Sequence, residues 1–263
     1  ARAVSAASAI GTCWIVYLLT AKLFSKNAGL LALIIIGSSI GFLYRARTGN
    51  IDTLLAFWMV AITWSYFGKR FVLMGIALGL GYLTKGLAVV ILPLCLLPWA
   101  FNKPKWWLGV AIGAGVSSIW LAISYLTLGQ AFIDQFFANQ TGKIIEPASP
   151  FGYLSPEYLN YLRSGLKLWW LIFLPAAVIY CWKFIRTEKI GILLYVAVSL
   201  IILSLAREKS NWFLVPLYPF MAIIIAGTAD SLLVKFREKL WTFVIIIFSS
   251  EVIKRNAPAV VPV

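Results

Sequence analysis

The chain contains no histidine, and its acids are few: nine Asp and Glu stand against 23 Lys and Arg in 263 residues. Without imidazole, His-based acid–base catalysis and His-dependent metal sites are excluded within the chain. Cysteine is nearly absent. Cys13, Cys95 and Cys181 each lie inside an apolar run and form no CxxC, so they read as small core hydrophobes rather than zinc ligands or a redox pair. No Walker loop, GxSxG or strand-borne GxGxxG occurs. Charge of either sign makes up only 12% of the residues, while 62% are apolar, against roughly half in soluble domains. Together with a mean hydropathy of +0.90, this excludes an ordinary soluble enzyme, a disordered regulator and a disulfide-stapled secreted domain.

A net charge of +14 can mark a nucleic-acid binder. Here the basic residues sit singly or in pairs between long apolar runs, which is the pattern of loop charges on a membrane protein, and no nucleic-acid partner is expected. A spanning helix needs about 20 apolar residues. Candidate spans fall near 3–21, 28–44, 51–67, 71–84, 87–101, 106–128, 168–182, 190–206, 212–228 and 240–253. The expectation is therefore an all-α, polytopic transmembrane helical bundle of about ten spans, with 71–84 and 87–101 open to being one broken helix. The chain divides into helices over 1–128, a loop over 129–167, helices over 168–253 and a tail over 254–263. The start at Ala1, too long and too polar for a signal peptide, suggests a piece of a longer protein.

Alternating sides gather Lys22/Lys26, Lys69/Arg70, Lys103/Lys105, Lys183/Arg186/Lys189 and Lys235/Arg237/Lys239 on one face, the cytoplasmic signature. The other face receives Arg45, Arg47, Asp52, Lys85, the 129–167 loop and Arg207-Glu208-Lys209. Charge there abuts hydrocarbon, where a charged side chain costs about 2.5–3.5 kcal/mol on insertion scales. An anionic ligand at the outer boundary would offset that cost; snorkelling to headgroups is the bland alternative. In the long loop, Ser155-Pro156-Glu157 reads as an N-cap, Pro at N1 and a first-turn acid. A short helix carrying Tyr158, Tyr161 and Leu162 should follow, with Phe151, Tyr153, Trp169 and Trp170 as an aromatic belt or as part of a lid. Gly75/Gly79 and Gly109/Gly113 read as helix packing contacts.

Three outer turns carry the chemistry. In Tyr44-Arg45-Ala46-Arg47-Thr48-Gly49-Asn50-Ile51-Asp52, the carboxylate could serve as a base, a metal ligand or an orienter of a sugar hydroxyl, or simply pair with Arg45 or Arg47 or cap its helix. In Thr84-Lys85-Gly86, Gly permits a break and Lys85 offers a compact charge suited to phosphate, or is a plain turn lysine. In Ser204–Pro219, Arg207 and Lys209 could clamp a phosphate ahead of a helix that Pro216 and Pro219 kink.

In their order and spacing these turns resemble the GT-C membrane glycosyltransferases of the dolichyl-phosphate-mannose–protein mannosyltransferase and aminoarabinose transferase type. Arg47 and Asp52, Thr84-Lys85-Gly86, Ser204 with Lys209, Pro216-Leu217-Tyr218-Pro219 and Arg2 carry the likeness, which covers about residues 1–235. The resemblance implies an inner-membrane enzyme that moves a sugar from a polyprenyl-phosphate donor to a lipid, glycan or protein acceptor at the extracytoplasmic face, by inverting single displacement. It implies that Asp52 orients the acceptor or a divalent cation, and that Lys85, Lys209, Arg47, Arg207 and Arg45 bind phosphate or sugar. The family's first span and its acid-bearing first outer loop would lie upstream of Ala1, so the chain alone is expected to lack the general base. Phe213 stands where a Tyr is common. Competing readings are a transporter or lipid flippase, which favours ionisable groups at mid-membrane, and a non-catalytic membrane scaffold.

Overall fold

The computed structural model describes residues 2–145, 157–205 and 209–233. Among them every regular element is helical: α1 (Arg2–Leu23), α2 (Lys26–Ser38), α3 (Ile40–Arg47), α4 (Ile51–Phe67), α5 (Phe71–Lys85), a 3-10 turn (Gly86–Val90), α6 (Ile91–Ala100), α7 (Pro104–Leu128), α8 (Gln130–Ile145), α9 (Glu157–Leu166), α10 (Leu168–Phe184) and α11 (Ile190–Leu205). The last, α12 (Asn211–Leu233), opens as a 3-10 turn over Asn211–Leu217. Local chemistry marks several starts. The Ser25 side chain accepts from Ala28 N and caps α2; the Asn50 side chain accepts from Asp52 N and caps α4; Pro104 occupies the first turn of α7.

Burial separates the helices into layers. α12 is apolar all round and sheathed by the others, with Phe220 through Ala226 essentially inaccessible. α7 is equally apolar but largely uncovered, and Leu126, Val178 and Trp182 also stand outward. An apolar surface of this extent is the face a bilayer covers.

α5 and α7 pack as the Gly pattern anticipates. A Cβ on Gly75 would collide with the Gly109 carbonyl, one on Gly79 would sit 2.5 Å from Val116, and one on Gly109 would lie 2.6 Å from the Phe71 carbonyl. Gly75 thus faces Gly109 and Gly79 faces Gly113, so the two helices run parallel at close approach.

About ten spans is an overcount. Four helices are long and apolar enough to cross a membrane among the described residues: Arg2–Leu23, Phe71–Ala100, Pro104–Leu128 and Asn211–Leu233. They become six if α2 with α3, bent by 64°, and α9 with α10, bent by 111°, each count as one. The excess has physical causes. Ile51–Phe67 and Ile190–Leu205 have only 17 and 16 residues, and 71–84 and 87–101 count as the single run Phe71–Ala100 by length and composition, although the chain reverses within it. That run turns back at Gly86, since Val89 lies 2.7 Å from where a Cβ on Gly81 would be. The span expected at 240–253, the cluster Lys235/Arg237/Lys239 and the tail 254–263 lie outside the described residues.

Residues 130–145, read as loop, form a helix, and a helix does follow Ser155-Pro156-Glu157 at Glu157–Leu166. Phe151, Tyr153, Ser155 and Pro156 lie outside the described residues.

Candidate functional site

Asp52 and Lys85 meet. The second residue of α4 and the last of α5 come to one end of the bundle, where the Lys85 ammonium donates to an Asp52 carboxylate oxygen in an ion pair. Asp52 is 2% exposed, while the Lys85 side chain keeps about a quarter of its surface. Local backbone sets both. Asn50 caps the α4 backbone at Asp52 N at 2.7 Å, and its own carbonyl accepts from Ser5 Oγ at 3.0 Å. After Lys85, Gly86 adopts φ 61°, ψ −135°, a conformation glycine alone reaches easily, and the chain reverses there. The reversal leaves the lysine at the tip rather than continuing the helix past it.

The pair stands at the rim of a cavity of about 370 Å³. Its wall is otherwise apolar or aromatic, with Leu55, Ile91, Tyr195, Phe213 and Pro216, and Ser199 adds a hydroxyl. The Lys85 ammonium lies 4.5 Å from the centroid of the Phe213 ring, so the aromatic face supports the cation on a side the carboxylate leaves open. One ammonium and one carboxylate in an apolar pocket form a switchable site: an entering anion can take hydrogens of the ammonium that Asp52 does not use.

Arg45 occupies the same end. It donates to Asn211 Oδ1 and stacks over the Trp212 ring at 5.0 Å and its neighbour Tyr44 at 5.3 Å. It is close enough for its charge to act on the Asp52 carboxylate. The first turn of α12 therefore separates two sites, with Asn211 and Trp212 toward Arg45, and Phe213 and Pro216 toward Lys85. On the Arg45 side lies a second cavity of about 320 Å³ that also admits Tyr161, Ser164, Lys167 and Tyr218. The Tyr218 hydroxyl fills a slot between Gly41 and Gly165, where a Cβ on either would collide with it.

Of the residues expected from sequence, Asp52, Lys85 and Arg45 are brought to one end. Arg47 is exposed at the end of α3 and lines neither cavity. Lys209, half-buried just before α12, also lines neither. Arg207 lies outside the described residues. Ser199, Lys167 and Asn211 were missed; a single polar residue inside or beside an apolar run gives no sign of which cavity it will reach. The Asp52 partner is Lys85, not Arg45 or Arg47. No group of three or more metal-ligating side chains forms among the described residues.

The opposite end is closed by a different network. Lys103 pairs with Glu188 at 2.6 Å and reaches the Tyr66 hydroxyl. Lys189 donates to the Leu23 carbonyl at 2.6 Å over the ring of Phe24, Lys183 donates to the Ser231 carbonyl, and Ser25 donates to Asp230. Burial pulls the Lys189 ammonium below the ordinary lysine range; Asp230 opposes this and Lys183 adds to it.

Residues 1–126 match the family described as dolichyl-phosphate-mannose–protein mannosyltransferase. Among curated proteins, the chain is 26% identical over 211 residues to an undecaprenyl phosphate-alpha-4-amino-4-deoxy-L-arabinose arabinosyl transferase of Enterobacter sp., covering 69% of this chain and 36% of the relative. It is 25% identical over 268 residues to a transferase of the same name from Pseudomonas fluorescens, covering 92% and 48%. It thus spans between about a third and a half of these relatives' lengths. The fold matches the crystal structure of ArnT from Cupriavidus metallidurans in the apo state, with TM-score 0.72 and 17% identity over 99% of this chain and 51% of that one. The same protein bound to undecaprenyl phosphate matches with TM-score 0.73. The family match over residues 1–126 and the likeness of fold across nearly the whole chain agree: the chain is similar to the membrane glycosyltransferases of the dolichyl-phosphate-mannose–protein mannosyltransferase and aminoarabinose transferase type and shares their fold.

Proposed function

We propose that the protein containing this chain transfers a sugar from a polyprenyl-phosphate donor to an acceptor at the extracytoplasmic membrane boundary, with the Asp52–Lys85 cavity receiving the donor phosphate. The observation that carries this reading is the buried pair itself, an ammonium and a carboxylate at the rim of an otherwise apolar pocket in a lipid-facing bundle. The relatives named above use or bind undecaprenyl phosphate according to their names, which supports the same donor class here.

In the reaction an acceptor hydroxyl attacks the anomeric carbon, and the bond from that carbon to the phosphate oxygen breaks. The electron pair stays on the phosphate. Lys85 faces the charge that develops there and stabilises it in surroundings with little water to compete. Asp52 holds the ammonium at the rim before the donor arrives and gives up part of its hold as the phosphate enters. The acceptor proton goes to a carboxylate acting as general base. Arg45 adds positive potential from the neighbouring cavity; Arg47, Arg207 and Lys209 remain part of the proposal as contacts to the rest of the donor or acceptor. The sugar is a hexose or a pentose, and the displacement inverts the anomeric centre.

The test is transfer from a polyprenyl-phosphate sugar by the full-length protein carrying Asp52→Asn or Lys85→Ala. Lys85→Ala should lower kcat by about 10²–10³, the scale set by loss of one preorganised oxyanion partner. Asp52→Asn should lower it less. A flippase or scaffold would show no transfer in the wild type, and undiminished transfer in both variants would remove the site.

A further inference from the structure

At the end of the bundle away from Asp52 and Lys85 there is a basic pocket that the transfer reaction does not use. Its volume is about 430 Å³, and Lys69, Arg70, Phe71, Val72, Leu73, Lys105 and Leu108 line it. Three of these are cations and none is acidic. Parallel packing of α5 on α7 creates the cluster. With Gly75 against Gly109 and Gly79 against Gly113, the register brings Lys105 level with Phe71, beside Lys69 and Arg70. Lys103, two residues earlier, is neutralised by Glu188; Lys69, Arg70 and Lys105 form no ion pair with the described carboxylates.

The backbone at this pocket is strained in a telling way. α4 ends in a Schellman motif, in which Arg70 N donates to Ser65 O at 2.8 Å and Lys69 N donates to Tyr66 O at 2.9 Å. The first of these positions after the cap takes the left-handed conformation and is normally glycine. Here it is Lys69, at φ 57°, although Gly68 stands immediately before it. A non-glycine residue held there costs stability. The neighbouring Arg70 guanidinium is steadied over the Trp64 ring at 4.7 Å.

Directly on the membrane side of the cations are bare hydrocarbon side chains. Val72 is 51% exposed, Leu73 46% and Leu108 54%. A soluble anion would complement the charges and leave that surface wet. An amphiphile with an anionic head and acyl tails complements both. We propose that Lys69, Arg70 and Lys105 form a binding site for the headgroup phosphate of an anionic phospholipid, whose tails run along Val72, Leu73 and Leu108. Basic pockets between membrane helices recognise such headgroups through the same pairing. The site is independent of the transferase reading and lies at the other end of the molecule.

The test reconstitutes the chain in phosphatidylcholine bilayers and measures its relative association with spin-labelled phosphatidylglycerol and spin-labelled phosphatidylcholine. The wild type should prefer phosphatidylglycerol. Combined Lys69→Gln, Arg70→Gln and Lys105→Gln should abolish the preference, with roughly a fivefold loss for each cation at most. Combined Lys22→Gln, Lys26→Gln and Arg186→Gln, at the same end but outside the pocket, should retain it. Lys69→Gly separates binding from folding: it relieves the backbone, so thermal stability holds or rises while the preference falls. A preference unchanged in the first triple variant, or lost equally in the second, overturns the site.

Discussion

Asp52 and Lys85 are worth more together than apart. Removing either charge leaves the other at a largely apolar rim, and an orphaned polar or charged group of this kind costs roughly 1–3 kcal/mol. Removing both costs less than the two losses added. The expected outcome is a non-additive cycle: Asp52→Asn and Lys85→Met each lower the unfolding midpoint in detergent, and the double variant recovers part of the loss. Additive losses would mean that the ion pair contributes nothing as a pair. Both residues were legible in the sequence because each interrupts or opens an apolar run. Their pairing was not. Sequence proximity suggested Arg45 or Arg47 for Asp52, whereas the partner comes from the far end of the next helix. Arg45 instead goes to Asn211 and Trp212. Phe213 supports Lys85 with its ring face.

Among the elements, two glycine-dependent features position the site. The reversal at Gly86 sets where Lys85 ends. Gly86→Ala forces a side chain into φ 61°, at a cost of about 1–3 kcal/mol. It should lower transfer by the full-length protein more than it lowers phosphate-independent stability markers such as detergent melting. The α5–α7 seam is the second feature. Gly109→Val places branched carbons against the Phe71 carbonyl and should destabilise by about 1–3 kcal/mol, the range for overpacking; thermal unfolding of the purified variant reads it. This seam was legible, because small residues four apart in an apolar helix have few other uses. The span count was not. Hydropathy registers runs of apolar residues, but it does not report that α2 and α3 break at Ser39, that the chain folds back at Gly86, or that α4 and α11 end at 17 and 16 residues. Nor did it show the helix at Gln130–Ile145, whose polar residues made it read as loop.

Across the whole molecule, the charges sort to two ends. Asp52, Lys85 and Arg45 share one; Lys103, Glu188, Lys183, Lys189 and Asp230 share the other. The second end holds most of the short basic turns, and the positive-inside tendency predicts that it faces the cytoplasm. With Cys13, Cys95 and Cys181 replaced by Ala, a cysteine at Thr48 should react with an impermeant thiol reagent only from outside intact cells, and one at Lys105 only after the membrane is opened. Labelling of both from the same side would overturn the alternation, and with it the face assigned to the reaction. The gathering of basic turns at one end was visible in sequence even though the number of spans was not, because it depends on which turns are basic rather than on how long each helix is.

The central claim is that Lys85, poised by Asp52, receives a prenyl-linked phosphate, and equilibrium binding of undecaprenyl phosphate to the purified full-length protein tests it most directly. Lys85→Ala should raise Kd about tenfold or more, a loss of about 1.4 kcal/mol or greater, while Lys103→Ala at the opposite end should leave Kd unchanged. Equal affinity in the wild type and Lys85→Ala would contradict the account.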